Sequence, residues 1–239
     1  MRHLLLTGGS GHDVEGTSRA LVELLEGLGA ATTVVEHPAA AVDALLPADD
    51  GASRWDLVSV NTLRSATLAA RDGRRAEHGV DVLGPDELAV IEQHVLGGGG
   101  LLAMHTAVIC FDGAPTWRRL VGGVWHWGRS DHPPVGQVRI EPTAAAAEHP
   151  VTEGCRPFVV EDELYGHLDL DPDVVALLTG TTTGRTHPVL WARHHGRGRV
   201  VTDVLGHGPA SVRHPAHRAL IAHAAGWAAR TTAPSTSDR

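Results

Sequence analysis

Four short apolar runs in this chain end in residues that can do chemistry. Leu4 to Thr7 precedes a glycine-rich loop carrying His12 and Asp13. Gly97 to Met104 runs into His105-Thr106. Phe158-Val159-Val160 leads to Glu161, Asp162, Glu163, Tyr165 and His167. Arg199 to Val204 leads to Leu205-Gly206-His207-Gly208. Runs of this length read as buried strands, and open α/β sheets bind ligands beyond the carboxyl ends of their strands. Histidine titrates near neutrality, and a carboxylate in apolar surroundings has a raised pKa. The set therefore suits general acid–base work or a metal site.

The roles follow from the types. Glu163, expected to carry a raised pKa, or His207 is the candidate base. His105 is placed to hold an oxyanion, alone or through a metal. His12, His105 and His207 are the candidate metal ligands and a divalent ion such as zinc the candidate cofactor, although no His-Glu-x-x-His or paired-cysteine spacing supports it. Trp125, His126 and Trp127 could stack on sugar faces, with His12, Thr106 and Tyr165 completing a substrate surface. Plainer readings stand beside these. His105 can be a hydrogen-bonded core residue, Glu161 to Glu163 a solvated run, the tryptophans a core edge, and His132-Pro133-Pro134 a rigid turn.

Composition narrows the classes. All 20 basic residues among the 239 are Arg. Without Lys there is no Schiff-base chemistry, pyridoxal attachment or Walker-type phosphate loop. Gly8, Gly9 and Gly11 do not form Gly-x-Gly-x-x-Gly. A net charge of -8 argues against nucleic acid as a partner. No run of about 18 apolar residues marks a membrane span. Two cysteines, Cys110 and Cys155, make no disulfide framework, which favours the cytoplasm. Of 17 histidines, His78, His94 and His223 lie in surface-like settings.

The elements that must position these groups alternate. Strands are expected at Leu4 to Thr7, Ala31 to Val35, Trp55 to Val60 and before His105. Helices are expected at Thr17 to Leu28, Pro38 to Leu46, Pro85 to Leu96 and, with Cys110 in a helix beyond the elbow, near Pro115 to Val121. Residues 62–84, with Arg64, Arg71, Arg74 and Arg75, read as a long polar excursion. Gln137 to Ile140, Val174 to Leu178, Pro188 to Ala192 and Arg199 to Val204 are further strands, the last two joined by a hairpin at Gly196-Arg197-Gly198. Pro215 to Ala229 closes the fold. The expected class is α/β: a doubly wound, mainly parallel sheet with helices on both faces and an antiparallel edge excursion, one domain over residues 1–230 and a disordered tail at 231–239.

The motifs His105-Thr106-Ala107, His149-Pro150-Val151-Thr152-Glu153-Gly154, Asp162-Glu163-Leu164-Tyr165, His187-Pro188-Val189-Leu190-Trp191, Gly196 to Val200 and Leu205-Gly206-His207, with the Arg218 to Trp227 helix, resemble the ThuA-like (trehalose utilisation) family. The resemblance spans about residues 2 to 230. It implies a flavodoxin-like, class I glutamine amidotransferase-like fold and a link to disaccharide catabolism, acting on oxidised (3-keto) sugars. The chain departs from glutaminases where it matters. His105 stands at the elbow where they carry Cys, and Pro209 stands where their late His-x-Glu needs Glu. The acidic residue that follows the late Gly-His in many relatives is Gly208 here. Two functions remain: acid–base chemistry on a keto-sugar or disaccharide, or a non-catalytic sugar-binding domain. The expected partner is a small carbohydrate, with a second copy of the chain as a further candidate.

Overall fold

The computed structural model describes residues 1–9, 11–46, 54–71 and 82–231. In chain order these form β1 (Arg2–Leu6), α1 (Val14–Gly27), β2 (Ala31–Val35), α2 (Pro38–Leu45), β3 (Leu57–Val60), α3 (Ala66–Arg71), α4 (Pro85–Leu96), β4 (Gly100–Met104) and α5 (Pro115–Val121). Then come β5 (Gly123–Val124), β6 (Gly136–Pro142), β7 (Phe158–Asp162), β8 (Asp169–Leu170), β9 (Ala176–Thr182), β10 (Arg185–His195), β11 (Gly198–Asp203), α6 (Pro209–Arg213) and α7 (Pro215–Ala228). Five helices, α2, α4, α5, α6 and α7, start on proline. Its fixed φ suits the first turn, and its missing N–H has no helical partner there anyway.

One sheet of nine strands has the order β2-β1-β3-β4-β11-β10-β9-β6-β7. The first five pair in parallel. Their order is the flavodoxin-like one, with β11 as fifth strand. The remaining four pair antiparallel. The antiparallel part is thus nearly half the sheet, larger than an edge excursion. Side-chain alternation splits the core into two layers. Leu5, Leu102, Met104 and Val201 pack with α1 and α7 residues such as Leu21, Leu25 and Ile221. Leu4, Leu6, Leu101 and Val200 pack with Leu88, Ile91 and Trp117 on the other face.

Several expectations are corrected. α1 begins at Val14 rather than Thr17, because the Asp13 carboxylate accepts the Gly16 N–H at 2.9 Å and caps the helix earlier. The 62–84 stretch contains α3, pinned where the Asp112 carboxylate accepts the Ala66 and Thr67 N–H groups. Arg74, Arg75 and His78 lie outside the described residues, as does most of the expected tail. The strand expected at Val174 to Leu178 is shifted to β9. Cys110 sits in a turn, not a helix. His94 is buried, its Nε2 3.3 Å from the Gly100 carbonyl. The glycines let it in: a Cβ on Gly99 would lie 2.2 Å from the His94 ring.

Candidate functional site

Three of the four stretches reach one edge directly. His12 follows β1, His105 follows β4 and His207 follows β11, all parallel strands. Glu163 follows β7, which four strands separate from β4. On a flat sheet that is about 24 Å. Glu163 nonetheless lies 3.6 Å from His105, so the antiparallel half curls back over the parallel edge. Irregular pairing of β10 around Pro188 to Trp191 supplies a local bend. Three antiparallel steps from β10 to β7 leave β7 running with the parallel strands, so its carboxyl end faces the same way as theirs.

Glu163 is the hub. Its Oε2 lies 3.3 Å from His12 Nε2, 3.6 Å from His105 Nε2 and 3.1 Å from His207 Nδ1. Its Oε1 lies 3.3 Å from His132 Nδ1. The His105 ring stacks on Tyr165 at 4.6 Å, and Trp125 meets Tyr165 edge-on at 5.3 Å. His105 takes φ +42°, a left-handed backbone that L residues adopt at a cost and keep where the surroundings impose it. Its Nδ1 lies 2.9 Å from the Val204 carbonyl, which only accepts, so Nδ1 carries a proton. In the neutral ring Nε2 then has a lone pair, shared with the Tyr165 hydroxyl at 2.9 Å.

The electrostatics reverse one expectation. Burial alone would raise the Glu163 carboxyl, yet the imidazoles around it, His105 and His12 foremost and then His132 and His207, hold it far below the usual carboxylate range. Glu163 is ionised, because its imidazole neighbours outweigh desolvation. His207 is lowered by burial and by His105 and His12, against the pull of Glu163. Burial, with the charges of Glu163 and Asp162, pushes Tyr165 well above its ordinary value.

Comparison with known proteins places the chain. A family profile described as ThuA, trehalose utilisation, matches residues 4–228. The chain belongs to the ThuA family. A putative ThuA-like protein from Parabacteroides merdae is 18% identical over 96% of this chain and 90% of its own, with TM-score 0.70. A cytoplasmic protein from Salmonella typhimurium is 15% identical over 95% and 99%, with TM-score 0.63. A cold-adapted β-galactosidase from Rahnella is 15% identical over 97% of this chain but 31% of its own length, with TM-score 0.62. At such identities these show the fold alone. None of the curated proteins compared matches. Among the described residues no helix is long and apolar enough to cross a membrane.

In this ThuA-family chain the remaining candidates divide. Thr106 is buried and donates its hydroxyl to the Thr62 carbonyl at 2.6 Å, so it secures the elbow. Tyr165, 1% exposed, is committed to His105. Trp125, His126 and Trp127 line a neighbouring concavity of about 420 Å³, and Trp125 joins it to the cluster. His126 is exposed and stands apart from the cluster. Gly8 and Gly9 serve packing rather than phosphate. Gly9 has φ +95°, and a Cβ there would strike the Leu63 carbonyl at 2.2 Å.

Sequence reasoning missed His132, taken for a turn, and Asp162, passed over inside an acidic run. Asp162 is 1% exposed. Its Oδ1 accepts the Glu163 and His207 N–H groups, and its Oδ2 accepts the Gly206 N–H and the Ser211 hydroxyl. One buried carboxylate thereby fastens the end of β7 to the loop after β11 and sets Glu163 and His207 together. Behind it, Ser211, His217 and Asp203 form a chain at 3.0 and 2.9 Å. The order imitates a hydrolase triad, but all three are at most 1% exposed, so no substrate reaches Ser211.

Cys110 is no nucleophile in waiting. Burial pushes its thiol up to about 12, and it donates to the Thr62 carbonyl at 2.9 Å. At pH 7 the native protein is expected to be alkylated at Cys155 alone, with Cys110 reacting only on unfolding, read by mass spectrometry. Glutamine hydrolysis is expected to be absent. Ammonia release above a no-enzyme blank that disappears in Cys110→Ala would overturn this.

Proposed function

We propose that this protein binds a small carbohydrate at the Glu163 cleft and moves a proton on a keto-sugar or disaccharide. The observation that carries this is the gathering of His12, His105, His132 and His207 on the single carboxylate of Glu163, beside the tryptophan-lined concavity. Its volume of about 420 Å³ falls within the range of about 300–1,000 Å³ usual for small-molecule sites. Trp125 offers a ring face to sugar C–H groups, and Arg118, Asp112 and Asp169 offer partners for hydroxyls. Family membership supports a carbohydrate, and two free cysteines fit a cytoplasmic setting.

His132 is the group best suited to take the proton. It is the most open member, at 40% side-chain exposure. Its Nδ1 faces two acceptors, the Pro133 carbonyl at 3.0 Å and Glu163 Oε1 at 3.3 Å, so Nδ1 carries a proton and Nε2 is left basic. Glu163 orients the ring, as a carboxylate does for a catalytic histidine. When a C–H beside the ketone breaks, its proton passes to His132 and its electron pair moves onto the carbonyl oxygen. His207, on the other side of Glu163, is placed to hold that oxygen.

The test uses 3-keto and ordinary disaccharides in D2O. The 3-keto sugar is expected to raise the melting temperature and to exchange the proton beside its carbonyl. His132→Gln should slow exchange by about 10²–10⁴-fold while keeping the ligand-induced shift. A shift without exchange in the wild type would leave a binding domain only. No shift with any sugar would remove the proposal.

A further inference from the structure

We propose that His12, His105, His207 and Glu163 bind one divalent cation of the zinc class, with Glu163 Oε2 and one nitrogen of each ring as donors. The inference rests on the Glu163 cleft being the working site, and it names the electrophile that reading needs.

The four donor atoms lie within 4.8 Å of one another. Glu163 Oε2 is 3.3, 3.6 and 3.1 Å from the three nitrogens. Neighbouring donors around a tetrahedral zinc, with bonds of about 2.0–2.2 Å, stand about 3.3–3.6 Å apart. The carboxylate is thus already at ligand spacing from every ring, and small movements of the rings would close the shell.

The hydrogen bonding points the same way. His105 donates its Nδ1 proton to the Val204 carbonyl and turns the other ring nitrogen, Nε2, toward Glu163 Oε2 at 3.6 Å. The bond to Val204 is also the outer-shell contact that fixes the tautomer of a metal-ligating histidine. His207 Nδ1 is buried and, although 3.1 Å from Glu163 Oε2, makes no hydrogen bond among the described residues. A cation held by both atoms needs no donor–acceptor pair between them. The backbone N–H groups of Glu163 and His207 share the Asp162 carboxylate, so two ligands from distant strands are held by one anchor. Imidazoles with one carboxylate are a borderline donor set, favouring zinc, cobalt or iron(II) over magnesium or calcium. His207, at 31% side-chain exposure, marks the open side where an ion and then a carbonyl oxygen can arrive. When the ion enters, the Tyr165 hydroxyl releases His105 Nε2. His132, on Oε1, stays free to move the proton.

The experiment is titration of the chelator-treated full chain with Zn2+ by calorimetry and with Co2+ by visible absorption. One ion per chain is expected, with the intense d–d bands of a four- or five-coordinate site. His12→Ala, His207→Ala and Glu163→Gln should each weaken binding by more than the about 10–100-fold that loss of an outer-shell partner costs. His223→Ala, far from the cleft, should change nothing. Far-UV circular dichroism and metal-free melting confirm that each variant is folded; Glu163→Gln and His207→Ala serve if His12→Ala is not. Substoichiometric binding, weak octahedral cobalt bands, or affinity indifferent to these substitutions would overturn the site. The 3-keto-sugar shift is measured with and without metal. A sugar shift in metal-free protein that takes up no ion defeats the metal site and spares the sugar reading. Stoichiometric metal with no sugar response does the reverse.

Discussion

Asp162→Ala is expected to cost at least about 3 kcal/mol and to break up the cluster on Glu163. The carboxylate is buried and accepts four hydrogen bonds, from the Glu163, His207 and Gly206 N–H groups and the Ser211 hydroxyl. Alanine leaves four donors without an acceptor in a place water does not reach. Each orphaned buried donor costs about 1–3 kcal/mol. The same bonds join β7 to the loop after β11, so Glu163 and His207 lose their common support. Asp162→Asn should fall between, because its amide nitrogen would face donors while its oxygen still accepts. Glu161→Ala, one residue earlier and exposed, should stay within about 0.5 kcal/mol. Urea unfolding of the three variants measures this. An Asp162→Ala loss below about 1 kcal/mol would show that the anchor is not what holds the site.

Asp203→Leu is expected to cost about 3–5 kcal/mol, because it strands a buried cation. His217 Nε2 lies 2.9 Å from the Asp203 carboxylate and Nδ1 3.0 Å from the Ser211 carbonyl. Both partners accept, so both nitrogens carry protons and the ring is an imidazolium. Burial alone would lower its pKa, but the charge and hydrogen bond of Asp203, with Asp162 beyond, raise it above the ordinary value. Replacing both residues by leucine should cost less than the single change, since no charge is then left alone. The pH dependence has a definite sign. A raised folded-state pKa stabilises the fold fully below about pH 6.5, and the contribution fades as pH rises through the folded value. Wild-type stability should therefore fall on the alkaline side, by at most about 1.4 kcal/mol per pH unit from this group, and the double variant should lack that decline. Equal losses in the single and double variants would contradict the ion pair.

Much of the frame was legible in the residues. Apolar runs of strand length, helices opening on proline and a glycine hairpin at Gly196 to Gly198 are local signals, and local backbone chemistry decides them. The carboxyl-edge placement of His12, His105 and His207 followed from strand direction alone, because parallel strands deliver their ends to one side. What the tertiary structure decided depends on partners distant in sequence. Glu163 reaches His105 only because four antiparallel strands curl, and strand order and curvature are set by pairing, which no single strand encodes. His132 looked like a turn residue; the bridge between Asp131 and Gly166 carries it to Glu163. The pKa of Glu163 was expected to rise from burial and instead falls, because its sign depends on how many imidazoles surround the carboxylate, a count that exists only after folding. Asp162, lost among three consecutive acids, became the anchor because the strand's alternation turned it inward while Glu161 faced solvent.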